Sequence, residues 1–130
     1  MRLRILVVDD NPMNAHLAKL MLERAGFDTR AVDSAPAALD YMVGNPVDVV
    51  VTDISMPGMS GKDLCRALYQ RYGERRPRVV AFTAFAMAHQ KLSIMEAGFD
   101  ALVVKPVTGA SLVTAVCGDV GGTPCALKAA

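Results

Sequence analysis

Val47-Asp48-Val49-Val50-Val51-Thr52-Asp53 decides how this chain folds. Its apolar residues run on without the apolar–polar alternation of a half-wet strand, so both faces of the strand must be covered. The run ends in a carboxylate, and Ile54-Ser55-Met56-Pro57-Gly58 turns the chain away. Three more short runs end in polar groups. Ile5-Leu6-Val7-Val8 leads into Asp9-Asp10, Val79-Val80-Ala81-Phe82 into Thr83, and Leu102-Val103-Val104 into Lys105-Pro106. A weaker strand is expected over Phe27 to Val32.

Segments of helical period separate these runs. Asn11 caps the first helix with Pro12 at its first position. Met13, Leu17, Leu20 and Met21 recur on one face, and Gly26 closes the helix. Ser34 caps the second, which carries Ala35, Ala38, Leu39 and Met42 on one face and stops at Gly44-Asn45-Pro46. Gly58 and Gly61 precede a third helix, about Lys62 to Tyr72, with Leu64, Cys65 and Leu68 inward. A fourth is expected over Met87 to Ala97, with Ala88, Leu92 and Met95 on one face. A fifth runs from about Thr108 to Cys117, with Leu112, Val113, Val116 and Cys117 together. Five strands alternating with five helices specify an α/β sandwich around a parallel sheet.

At 130 residues the chain makes one domain. Its net charge of +1 and 21% charged residues do not suit bulk polyanion binding. The basic stretch Arg71 to Arg78 is read as a solvated loop, so direct DNA binding is not expected. The apolar runs fall short of the roughly 20 residues that span a bilayer, and two acids follow too soon after Met1 for a signal peptide. A cytoplasmic protein without membrane contact is expected. Cys65, Cys117 and Cys125 show neither a CxxC nor a zinc-finger spacing. Two are read as small apolar residues and one as a tail thiol. His16 and His89 are ordinary helix residues, His16 facing solvent.

In a parallel sheet flanked by helices, ligands bind beyond the carboxyl ends of the strands. Asp9, Asp10, Asp53, Thr83 and Lys105 all fall there. Converging carboxylates repel, and a cation relieves them. Oxygen-only donors select a hard ion, and magnesium takes one or two carboxylates while keeping several waters. A carboxylate can then act as nucleophile toward phosphorus, with a lysine and a hydroxyl on the phosphoryl oxygens. Taken singly, the parts are weak: an Asp pair after a strand is often a helix cap, and Lys-Pro is a common turn.

The segments Ile5 to Asn11, Asp53 to Gly61, Phe82-Thr83-Ala84 and Val104-Lys105-Pro106 resemble those of bacterial two-component response-regulator receiver domains. The resemblance runs from about residue 4 to residue 118 and leaves 119–130 as a flexible C-terminal tail or linker. It implies a flavodoxin-like three-layer sandwich with strand order 2-1-3-4-5. It also implies that Asp53 accepts a phosphoryl group from a histidine kinase or histidine phosphotransfer protein. Asp10 would ligate magnesium, or manganese in its place, directly, and Asp53 would be a ligand as well as the acceptor. Asp9 would act through water, and the Ser55 backbone carbonyl would be a further ligand. Thr83 and Lys105 would contact the phosphoryl oxygens, and Lys105-Pro106 would be a cis bond. Such a domain is a signalling phosphoacceptor and not an enzyme: it promotes only its own phosphorylation and dephosphorylation.

Phosphorylation would switch the surface of the fourth helix, fifth strand and fifth helix for a downstream protein partner, or for a homodimer through the same face. Met87, Ile94 and Leu102 are expected to give that surface an apolar patch. The chain departs from the family at Leu102, where many receivers carry Tyr or Phe. Phe85 and Ser55 occupy positions that influence aspartyl-phosphate lifetime. Thr83 to Ala88 resembles single-domain regulators and hybrid-kinase receivers more than DNA-binding regulators. Residues 119–130 are too few for a winged helix, so output is expected through a partner or another part of a longer polypeptide.

Three rival readings fit the residues less well. An aspartate-nucleophile phosphatase of the haloacid-dehalogenase type would carry an acid where Ser55 stands. A receiver-fold interaction module that is never phosphorylated would lack part of the five-residue set. A flavodoxin-like flavin binder would need a hydroxyl- and glycine-rich loop in place of Asp10-Asn11-Pro12.

Overall fold

The computed structural model describes residues 3–54, 56, 58–83, 92, 94–104, 112–113 and 115–116. Ser55, Phe85, Met87, Ala88, His89, Lys105, Pro106, Cys117, Cys125 and the tail 119–130 lie outside them, and so do the expectations placed on them. Strands β1 (Arg4–Val8), β2 (Asp28–Val32), β3 (Val49–Asp53), β4 (Arg78–Thr83) and β5 (Ala101–Val104) alternate with helices α1 (Pro12–Arg24), α2 (Ala35–Gly44) and α3 (Gly61–Tyr72). Residues 92, 94–96, 112–113 and 115–116 are helical where the fourth and fifth helices are expected. The sheet is parallel throughout, in the order β2-β1-β3-β4-β5.

Continuous burial of β3 and β4 follows from the layers on either side. Alternate strand residues point to opposite faces. Ile5, Val7, Val49 and Val51 meet Ala15, Ala18 and Leu22 of α1 together with Leu112 and Val116. Leu6, Val8, Val50 and Val79 meet Ala38 and Met42 of α2, Leu64 and Leu68 of α3, and Ile94. Each fully buried Leu, Ile or Val contributes about 1.5–3 kcal/mol through removal of apolar surface from water. Among the described residues every buried side-chain nitrogen or oxygen has a hydrogen-bond partner.

The caps sit where the residue types place them. Asn11 accepts from the backbone N–H groups of Met13 and Asn14, and Ser34 from that of Ala37. Gly26 takes φ 97° just past the end of α1, a left-handed conformation that costs glycine little.

Two helices turn differently from expectation, although Met21 of the expected α1 face does pack against the core. α1 buries Ala15, Ala18 and Leu22, while Met13, Leu17 and Leu20 point to solvent, Met13 with 80% of its surface exposed. The sheet selects the small alanines because they let the helix approach closely. Leu92 and Met95 are likewise exposed, and Ile94 is the buried residue of that segment. Of the expected Met87–Ile94–Leu102 patch, Ile94 is in the core and Leu102 is partly buried against it, whereas Leu92 and Met95 stand outside.

Candidate functional site

Strand register brings the acids together. Val8 pairs with Thr52, so Asp9 leaves β1 beside Asp53 at the end of β3. Asp53 pairs with Phe82, which sets Thr83 one residue further along β4, and Thr83 pairs with Val104, the last residue of β5. One carboxylate oxygen from each of Asp9, Asp10 and Asp53 lies within 4.8 Å of the other two. Asp9, Asp53 and Thr83 are buried and Asp10 is exposed, so the cluster is a rimmed recess and not a closed cavity.

Local hydrogen bonds orient these groups. Asp9 Oδ1 accepts from the Asn11 N–H at 2.9 Å. Because Asn11 caps α1, the helix does not use Asp10 for that purpose. On β3 the Thr52 hydroxyl donates to the Asp53 carbonyl oxygen at 3.0 Å. The Gly61 N–H donates to the Ile54 carbonyl at 3.1 Å and tethers the first turn of α3 to the chain leaving Asp53. That turn carries a reciprocal cap. The Ser60 hydroxyl accepts from the Asp63 N–H, and the Asp63 carboxylate accepts from the Ser60 N–H and hydroxyl. Hydrogen bonds from the Ser60 backbone and side chain hold the exposed Asp63 carboxyl below the usual carboxylate range.

The donor set fits a hard cation. Ligand oxygens around magnesium stand 2.0–2.1 Å from the ion, hence at most about 4.2 Å apart. Carboxylates within 4.8 Å of one another need only a small adjustment or one intervening water. No His or Cys joins the cluster among the described residues, which disfavours a softer metal. A groove of about 450 Å³ opens beside Asp9 between α1 and the start of α2, lined by Pro12, His16, Lys19, Val32 and Asp33 among others.

The sequence singled out Asp9, Asp10, Asp53 and Thr83, and the structure sets all four at the carboxyl edge of the sheet. The same reading missed the apolar outer face of α1, which begins two residues after Asp10. The i, i+4, i+7 spacing of Met13, Leu17 and Leu20 was the available signal, but spacing alone does not say which side of a helix faces the core.

The fold and the acidic recess together define a class, and comparison with known proteins supplies the family. Residues 5–117 match the model of the response regulator receiver domain. The chain belongs to that family, whose members are receiver domains of two-component and phosphorelay signalling and bind Mg2+ at an acidic pocket. Over 117 residues it is 39% identical to the sensor histidine kinase GacS of Pseudomonas protegens. That match covers 87% of this chain and 13% of the relative, so the chain spans about an eighth of its length. A solved sensor protein from Polaromonas sp. JS666 is 30% identical with a TM-score of 0.80, over 89% of this chain and 94% of that one. The chemotaxis protein CheY4 of Vibrio cholerae shares the fold at a TM-score of 0.81 and 21% identity, over 88% and 95% of the two chains. Receiver domains of hybrid kinases work with histidine kinase or phosphotransfer partners.

Proposed function

We propose that Asp53 is the phosphoacceptor of this receiver and that its phosphoryl group comes from a phosphohistidine on a histidine kinase or histidine phosphotransfer protein. The observation that carries the reading is the meeting of three carboxylates at the ends of adjacent parallel strands. A carboxylate oxygen of Asp53 attacks phosphorus and an O–P bond forms. The P–N bond to the donor imidazole breaks, and the departing ring nitrogen takes a proton from solvent. Asp10, Asp53 and the Ser55 carbonyl would hold Mg2+, or Mn2+ in its place, with Asp9 acting through water. Bound there, the ion offsets the charge of the phosphoryl oxygens. The Thr83 hydroxyl and the Lys105 ammonium would contact those oxygens. The chain is then a signalling phosphoacceptor that promotes only its own phosphorylation and dephosphorylation.

The donor docks over α1. Met13, Leu17 and Leu20 form an exposed apolar stripe starting beside the recess, and a partner that reaches Asp53 covers it. Output runs through the face made by the fourth helix, β5 and the fifth helix, where Leu92 and Met95 are exposed, toward a protein partner or a second copy and not toward DNA. Among the described residues no helix is long and apolar enough to cross a membrane, and we place the domain in the cytoplasm. Residues 1–118 are assigned to the receiver unit and 119–130 to a tail.

Intact-protein mass after incubation with a small acyl phosphate, with and without Mg2+, tests the reading beside Asp53→Asn. The expected result is a Mg2+-dependent adduct of one phosphoryl group that Asp53→Asn abolishes. An adduct that persists in the variant overturns the assignment of Asp53. Failure to bind beryllofluoride, together with no adduct, overturns the phosphoacceptor function.

A further inference from the structure

We infer that Gly61 is a positioning residue for the Asp53 carboxylate, acting through the backbone at the first turn of α3. This rests on the reading of Asp53 as the nucleophile. A Cβ at Gly61 would collide with the Asp53 carbonyl oxygen and would stand 3.0 Å from Ile54 Cα and 3.1 Å from the Asp53 carbonyl carbon. These are backbone atoms, which cannot swing aside as a flexible side chain would. Gly61 has no positive φ, so glycine is required here for close approach and not for an unusual conformation.

The contact is held from both sides. The Thr52 hydroxyl donates to the same Asp53 carbonyl oxygen at 3.0 Å, and the Gly61 N–H donates to the Ile54 carbonyl at 3.1 Å. The reciprocal Ser60–Asp63 cap fixes the turn that presents Gly61. Asp53 is thus wedged between its own strand neighbour and a capped helix start. The carboxylate shares its Cα with that wedged peptide, so a shift of the carbonyl carries to the nucleophilic oxygen. Restoring an ordinary contact of about 3.4 Å would need a displacement of roughly 1 Å, and a misplacement of that size costs on the order of 100-fold in rate.

The test compares wild type, Gly61→Ala, Asp63→Ala and Leu68→Ala in the full chain. Leu68 is fully buried on the same helix two turns away and serves as a stability control. Three quantities are read: the rate of adduct formation at saturating acyl phosphate and Mg2+, the Mg2+ dissociation constant by calorimetry, and the thermal midpoint. Gly61→Ala is expected to slow phosphorylation at least tenfold and to weaken Mg2+ binding. Leu68→Ala, with an equal or larger loss of midpoint, is expected to stay within twofold of wild type in both. Asp63→Ala keeps the glycine but releases the turn. It is expected to slow phosphorylation about threefold, and it decides the matter if Gly61→Ala does not fold. Wild-type rate and Mg2+ affinity in Gly61→Ala overturn the inference, as does an unchanged Asp63→Ala where Gly61→Ala is unfolded. A wild-type chain that forms no adduct and binds no beryllofluoride overturns the phosphoacceptor reading, and this inference falls with it.

Discussion

The two ends of the sheet treat charge in opposite ways. At the amino end, acids meet arginines. Asp100, just before β5, holds Arg76 in a two-pronged pair at 2.8 and 3.2 Å and also accepts from the Val79 N–H. Arg76 donates further to the Gly98 and Pro77 carbonyls and lies 5.7 Å from the Tyr69 ring centroid. Asp48, just before β3, pairs with Arg4 at 3.6 Å. At the carboxyl end three carboxylates instead face one another within 4.8 Å. Opposite charges at one edge tie the strand starts together, whereas at the other three acids are gathered where a cation can bind. One end is built for stability and the other for binding.

Removing charge should therefore have opposite signs at the two ends. The largest effect is expected from Arg76→Ala, which removes the two-pronged pair from Asp100 and leaves it the Val79 N–H. It should cost about 2–3 kcal/mol by chemical denaturation, since hydrogen bonds to charged groups are worth about 1.5–3 kcal/mol, and should leave Mg2+ affinity unchanged. An equal loss of Mg2+ affinity would break the separation of the two ends.

pH sharpens the same point. Burial pushes the Asp100 carboxyl up, but hydrogen bonds from Arg76 and the Val79 N–H outweigh it, so its pKa lies below the usual value. A carboxyl lowered on folding stabilises above its unfolded pKa of about 3.9. That contribution is lost as pH falls through the lower folded value. The penalty of Arg76→Ala should accordingly be full at pH 7 and shrink below about pH 4, as followed by denaturation at stepped pH.

Asp10→Asn should act in the other direction. In chelator it is expected to stabilise the chain by about 1 kcal/mol, the scale of two like charges at this spacing in a wet site. The extra stability that Mg2+ confers on wild type should disappear. A destabilised Asp10→Asn in chelator would contradict the separation of roles between the two ends. The smallest effect belongs to Arg4→Ala. Its exposed pair with Asp48 should contribute no more than about 0.5 kcal/mol, and less again at high salt.

Much of the fold was legible because it depends on local chemistry. Strand β1 is bounded as the apolar run implies, Asn11 and Ser34 cap the helices they precede, and Gly26 and Gly44 mark helix ends. β3 begins two residues after the start of the Val47 run and includes Asp53, which pairs with Phe82 of β4. The helix faces were harder to read. Met13, Leu17 and Leu20 are more apolar than Ala15 and Ala18, so hydropathy points the wrong side of α1 inward. The space between helix and sheet decides otherwise.

The sequence by itself determined the alternation of elements, the parallel sheet and the identity of the strand-end residues Asp9, Asp10, Asp53 and Thr83. Each depends on apolar runs, caps and turns that act over a few neighbouring residues. Only the tertiary structure decided that three carboxylates would share one recess, that Arg76 would close on Asp100 across the chain, and that Gly61 would abut the Asp53 carbonyl. Those contacts join residues brought together by strand register and helix packing, where distances of a few ångströms depend on the whole sheet being assembled.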